Sequence, residues 1–124
     1  MRIGLDDTFL RVEKVGREGP TVTWRVAAAV GGPGWWFAAL HHRVEVGDTC
    51  EAARRIADFT ARKVQRIELN LLQGGWVRIK RHPSGSLLVR YRVGQANSGA
   101  ALEGEVSVEG KAAELFDRQL AALL

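Results

Sequence analysis

The sequence predicts an α+β fold, with a single antiparallel sheet of six to seven strands, two helices on one face, and the order β-β-β-α-β-β-β-β-α. The chain has 124 residues, a typical length for one domain, so residues 1–124 are expected to form a single unit. Several short segments alternate apolar and polar residues with the period of half-buried strands. Glycine- and proline-rich turns separate most of these segments, which favours antiparallel pairing.

Three segments are predicted as the strands that precede the first helix: residues 8–15, 21–30 and about 35–46. In the second of these, Trp24 lies on the apolar face. In the third, Trp36 is expected in the core, whereas Trp35 and Phe37 point to the outer face, because successive side chains of a strand alternate. An alternative is that the N-terminal segment covers these two outward rings.

Two segments have the pattern of amphipathic helices. The segment "GDTCEAARRIADFTARKV" begins with Asp48 as a candidate N-cap, and Glu51 lies three residues later, as in a capping box. Its predicted apolar stripe comprises Cys50, Ala53, Ile56, Ala57, Thr60 and Val64. Residues 111–124 are expected to form a closing helix whose apolar side contains Ala112, Leu115, Phe116, Leu120 and Leu123.

The strands after the first helix include the clearest hairpin of the chain. "WVRIKR" and "SLLVRYRV" flank "HPSG", a turn of the kind that proline and glycine favour. "QRIELNLL" precedes this hairpin and "ALEGEVSV" follows it, and both alternate as strands do. The alternation directs Trp76, Arg78, Lys80, Arg90 and Arg92 outward.

Basic residues are concentrated in the middle of the chain. Residues 54–92 contain ten basic and two acidic residues, and arginine supplies 14 of the 18 basic residues of the whole chain. Arginine suits phosphate and carboxylate partners. The predicted binding site is the outer sheet face, with Trp35, Phe37, Arg66, Trp76, Arg78, Lys80, Arg90 and Arg92. In the alternative, this face is merely solvated and its arginines pair with Glu103 and Glu105.

The sequence contains no catalytic or metal-binding signature. No nucleophile–base or carboxylate pair is visible, so a non-enzymatic protein without cofactors is expected. His41 and His42 are adjacent in a predicted strand and point to opposite faces, so they cannot share one metal ion. Cys50, the only cysteine, is expected to be a small buried residue. No apolar run reaches the length of a membrane span, and a cytoplasmic location is predicted.

The pattern from Trp36 to Leu124 resembles the WapI-like group of small bacterial immunity proteins. The resemblance lies in "WWFAAL", in the helix that follows a short polar turn, in the glycine-centred hairpin and in the final strand and helix. It implies a non-catalytic protein that binds and blocks a toxin. Because this chain is basic, its partner protein would have an acidic surface. A nucleic-acid-binding domain that uses the same arginine-rich face is the alternative, and a homodimer is left open.

Overall fold

The chain folds as two four-stranded antiparallel sheets, each followed by one helix. The computed structural model describes residues 1–4, 8–32, 35–72, 74–94 and 101–124, with the side chains of residues 32–42 excepted. The first unit comprises β1 (Arg2–Gly4), β2 (Phe9–Glu18), β3 (Thr21–Gly32), β4 (Trp35–Val46) and α1 (Thr49–Thr60). The second comprises β5 (Arg66–Asn70), β6 (Trp76–Arg81), β7 (Leu87–Gly94), β8 (Ala101–Val108) and α2 (Gly110–Ala121).

The predicted single sheet is therefore wrong, and the order is β-β-β-β-α-β-β-β-β-α. One reason is β1, which has three residues and is too short to show an alternating pattern, although its Ile3 is buried and it pairs with β2. A second reason is that alternation identifies the face of a strand that is buried but not the sheet to which the strand belongs. Two sheets that share one core satisfy the same pattern.

Backbone contacts between the end of β4 and the end of β5 join the two sheets. Val46 and Leu71 form an isolated antiparallel bridge. The amide of Gly47 donates to the carbonyl of Asn70 at 3.0 Å, and the amide of Leu72 donates to the carbonyl of Glu45 at 2.9 Å. These backbone bonds hold the second sheet at one corner of the first.

One hydrophobic core lies between the inner faces of both sheets and one side of each helix. Contacts of β8 with β1, β3 and β4, and of α1 with α2, connect the two units. Trp24 is fully buried, as predicted, and its Nε1 donates to the carbonyl of Leu123 at 2.8 Å, which fastens the end of α2 to the first sheet. The predicted burial of Trp36 concerns a side chain outside the described residues.

The predicted cap of α1 is confirmed, but the predicted apolar stripe is not. The amide of Glu51 donates to Asp48 Oδ1 at 3.0 Å, although Asp48 has a left-handed φ of 42°. The buried residues of α1 are Thr49, Ala52, Ile56 and Phe59, and Cys50 is exposed rather than buried. On α2, Phe116 is buried as expected, whereas Leu115 is exposed. No helix among the described residues is long and apolar enough to cross a membrane.

A buried arginine joins the second sheet to both helices. Arg81 lies at the end of β6 on the inner face, and its Nη2 donates to Asp117 Oδ1 on α2 at 2.7 Å. Its guanidinium carbon is 4.5 Å from the centre of the Phe59 ring on α1. Arg81 was counted with the central basic cluster of the sequence, but it belongs to the interior.

Candidate functional site

The outer face of the second sheet, here called the basic face, presents its side chains in three rows because the registers of its four strands align. Read from β5 to β8, the rows are Arg66–Lys80–Leu88–Ser107, Glu68–Arg78–Arg90–Glu105 and Asn70–Trp76–Arg92–Glu103. None of these twelve side chains is buried. The whole basic face is therefore accessible to a ligand.

Six of the eight predicted binding residues lie together on the basic face: Arg66, Trp76, Arg78, Lys80, Arg90 and Arg92. The other two, Trp35 and Phe37, lie in β4 of the first sheet, and their side chains are outside the described residues. The expected common face of all eight is corrected by the division into two sheets.

The second and third rows contain arginines paired with carboxylates of the chain itself. Arg78 Nε donates to Glu68, and Arg90 Nε donates to Glu105. Arg92 Nη1 lies 3.5 Å from Glu103 Oε1. Arg90 and Arg92 on β7 thus pair with Glu105 and Glu103 on β8, as expected if this face is merely solvated. All three pairs are exposed, and such pairs contribute at most about 1 kcal/mol each.

The first row carries cations without such partners. Arg66 and Lys80 are exposed and face each other across β5 and β6. Neither forms an ion pair with a carboxylate of the described residues. Positive charge is therefore least compensated at the end of the face nearest to the C-terminal end of α1.

A groove of about 750 Å³ follows this end of the face and is bordered by α1. Six basic, two acidic and four apolar residues contribute to its lining, and of the apolar ones Ile67 and Ile79 are buried. The lining residues are Arg54, Arg55, Asp58, Val64, Arg66, Ile67, Glu68, Arg78, Ile79, Lys80, Leu88 and Arg90. The groove is thus mainly cationic, with accessible apolar surface at Val64 and Leu88.

Arg55 holds α1 beside the edge strand of the second sheet. Its Nη1 donates to the carbonyl of Glu68 at 2.8 Å, and its Nε donates to Glu51 Oε1 at 2.9 Å. Arg54 donates to the same carboxylate through Nη2 at 2.6 Å. The hydrogen bonds from Arg54 and then Arg55 lower the pKa of Glu51 from 4.5 to about 2. Glu51 therefore orients the two arginines of α1 that line the groove.

Trp76 places an aromatic ring among the cations of the basic face. The ring is half-buried, and the Arg78 guanidinium carbon lies 4.0 Å from its centre, within the range of a cation–π interaction. Leu88, also half-buried, lies in the first row opposite Lys80. The face therefore combines charged groups with two apolar surfaces on which a flat ring could rest.

The contribution of α1 to the groove is not predicted from the sequence pattern. Arg54 and Arg55 lie on α1, and the predicted binding site contained no residue of this helix. The signal that could have found them is the short connection from the end of α1 at Thr60 to the start of β5 at Arg66, which brings the helix beside that strand. Among the described residues, no group of three or more histidine, cysteine or acidic side chains could hold a metal ion.

Comparison with known proteins identifies a similar fold. No protein-family model and no curated protein matches the chain. The chain is similar to a solved structure from Trypanosoma brucei, described as crystal structures of MRP1/MRP2. The similarity covers 100% of this chain and 88% of the other, with a TM-score of 0.54 and 14% sequence identity. At that identity the similarity concerns the arrangement of strands and helices and does not extend to the side chains of the basic face.

Proposed function

We propose that the basic face binds single-stranded nucleic acid. The observation that supports this most is the groove, in which six basic residues meet two acidic ones and in which Arg66 and Lys80 lack a described ion-pair partner. Phosphates of a nucleic-acid backbone bind to lysine and arginine side chains of this kind. Cations at alternate positions of β6 recur about every 6.7 Å along the strand, so a chain of phosphates can contact several of them.

The apolar surfaces of the face favour an unpaired strand over a duplex. Bases of single-stranded nucleic acid stack on aromatic side chains, whereas those of a duplex are stacked on one another. Trp76 and Leu88 lie between the cations, and both are partly accessible. A strand that binds its phosphates to the arginines can therefore place bases on these two side chains.

An acidic partner protein, as the immunity-protein resemblance implies, is the second candidate. It is favoured by the three arginines that already bind carboxylates of this chain. Against it, the centre of a protein interface is usually apolar. Among the described residues the large exposed hydrophobic side chains are Val15, Val64, Leu72 and Leu115, and Val64 alone lines the groove. A polar and positive surface is more typical of nucleic-acid interfaces.

The test is the binding of a labelled oligothymidylate, measured by fluorescence anisotropy over a series of salt concentrations. We expect the logarithm of the affinity to fall linearly with the logarithm of the salt concentration. Arg66→Glu with Lys80→Glu should weaken binding and reduce this slope by roughly 1.4, about 0.7 for each lost phosphate contact on a single strand.

The matched control is Arg17→Glu with Lys111→Glu, which makes the same charge change at exposed positions away from the basic face. Equal binding by the two double variants would show that the face is not the site. If the parent binds polyglutamate but no oligonucleotide, the acidic-protein candidate replaces the proposal. Duplex of the same sequence should bind more weakly than the single strand.

The proposed role is non-catalytic, needs no cofactor and is carried out in the cytoplasm. An exposed, unpaired thiol at Cys50 fits a reducing compartment. The homodimer left open by the sequence stays a prediction, and the molar mass of the protein in solution tests it.

A further inference from the structure

The second row of the basic face has a symmetric arrangement of charges. Arg78 and Arg90 lie directly opposite each other on the two central strands, and Glu68 and Glu105 flank them on the outer strands. Like charges in direct cross-strand opposition destabilise a sheet. On the central strands of the other two rows, Lys80 lies opposite Leu88 and Arg92 lies opposite Trp76, although Arg66 and Lys80 are opposed across β5 and β6. Within the basic face, the second row is therefore the one that opposes two arginines on its central strands.

Each arginine of the pair uses only part of its hydrogen-bonding capacity. Arg78 and Arg90 each donate through Nε to the flanking carboxylate, and neither makes a further hydrogen bond to the described residues. A guanidinium has five N–H donors, so the Nη groups of both side chains are left for a ligand. Both side chains are more than half exposed, at 52% and 62%.

We propose that Arg78 and Arg90 together bind one backbone phosphate, and that Glu68 and Glu105 limit the affinity of this site as intramolecular counterions. This inference rests on the proposed nucleic-acid function. The Cβ atoms of directly opposed residues are about 4.5–5.5 Å apart, so both guanidinium groups can reach the two unesterified oxygens of one phosphodiester. Its negative charge relieves the repulsion between the arginines, while the two glutamates repel it.

The first test is Glu68→Gln with Glu105→Gln. Glutamine keeps an oxygen that can accept from Nε, so the arginines stay oriented while two negative charges are removed. For a separation of about 6 Å between each carboxylate and the phosphate, loss of both repulsions should tighten oligothymidylate binding about tenfold at low ionic strength. Added salt should reduce this gain, because the charges involved are exposed.

The matched control is Glu18→Gln with Glu114→Gln, which changes the net charge equally at exposed positions outside the second sheet. It should change the affinity by less than about twofold. A second variant, Arg78→Lys with Arg90→Lys, keeps both charges but removes the planar fork that binds two oxygens. We expect it to bind several-fold more weakly than the parent with an almost unchanged salt slope.

The outcomes separate this inference from the proposal on which it rests. If the parent binds no oligothymidylate, the nucleic-acid function fails and the phosphate site with it. If the parent binds but the double glutamine variant binds no more tightly than its control, the counterion role of the glutamates is wrong. If the double lysine variant binds as tightly as the parent, the arginines act only as diffuse charge. Urea denaturation midpoints establish that each variant is folded.

Discussion

The buried ion pair between Arg81 and Asp117 should make the protein respond unequally to the loss of each partner. The Arg81 side chain is 5% exposed and that of Asp117 is 18% exposed, and the two are joined at 2.7 Å. Asp117→Asn removes the counter-charge and leaves a guanidinium buried against the Phe59 ring. Removing the partner of a buried charge lowers the free energy of unfolding by about 3–5 kcal/mol. Because Asp117 is not fully buried, we expect about 3 kcal/mol.

Arg81→Met removes the buried charge instead of leaving it without a partner. Methionine has a flexible apolar side chain that can pack against an aromatic ring. It also eliminates the Arg81 Nε, which has no hydrogen-bond partner within the described structure. Asp117 keeps a second cation, since Arg62 Nη2 lies 3.4 Å from its Oδ2. We therefore expect a cost of at most about 1 kcal/mol, because replacing a buried ion pair by apolar residues is often close to neutral.

Urea denaturation measures both variants. With an m-value of about 1–3 kcal/mol/M, a loss of 3 kcal/mol lowers the midpoint by roughly 1 M or more. Glu13→Gln, which removes the exposed pairs with Arg11 and Arg25, is a control expected to cost about 1 kcal/mol or less. Equal midpoints for Asp117→Asn and Arg81→Met would refute the reasoning that the buried charge, rather than the lost contact, sets the cost.

Three further predictions concern single residues. Asp48→Ala should lower the free energy of unfolding by about 1 kcal/mol through loss of the helix cap, and an unchanged denaturation midpoint would contradict this. Gly104→Ala should cost about 1–3 kcal/mol, since a Cβ there would lie 2.3 Å from the Tyr91 hydroxyl oxygen. Tyr91→Phe should not rescue it, because ring carbon Cζ would be 2.5 Å away. The lowered pKa of Glu51 stabilises the fold above pH 4.5, and this contribution is lost as the pH falls towards about 2. Glu51→Gln should reduce the change in thermal midpoint over this range, and an equal change in parent and variant would contradict the assignment.

The hairpin of β6 and β7 shows what the sequence can establish. Its strands alternate apolar and polar residues, and a turn with Pro83 and Gly85 fixes where they pair. Gly85 has a φ of 89°, a conformation that glycine adopts readily. Local periodicity and turn chemistry were therefore sufficient to bring the five predicted binding residues of this hairpin onto one face. The same alternation puts Arg81 on the inner side of β6. Its burial was not predicted, because charged side chains are usually exposed.

The failures of the sequence analysis arise where local pattern gives no long-range information. The division into two sheets depends on the bridge between Val46 and Leu71 and on contacts that join distant segments. The stripe of α1 was misplaced because alanines occur on more than one of its sides and identify no single buried side. Phe59, the largest buried residue of this helix, determines the side that packs into the core. A shift of one position rotates the assigned helix side by about 100°.

The two units share a plan but differ in the side chains of their outer faces. On the outer side of the first sheet, Ala27 and Ala29 are buried. The corresponding side of the second sheet has no buried residue in its three rows and carries five basic side chains. Unrelated functions commonly occur on one fold, so the similarity to MRP1/MRP2 cannot decide between a nucleic acid and an acidic protein. Comparison of oligothymidylate with polyglutamate as ligands of the parent can decide, whereas the reversal at Arg66 and Lys80 tests whether the basic face is the site, because binding of either polyanion depends on salt.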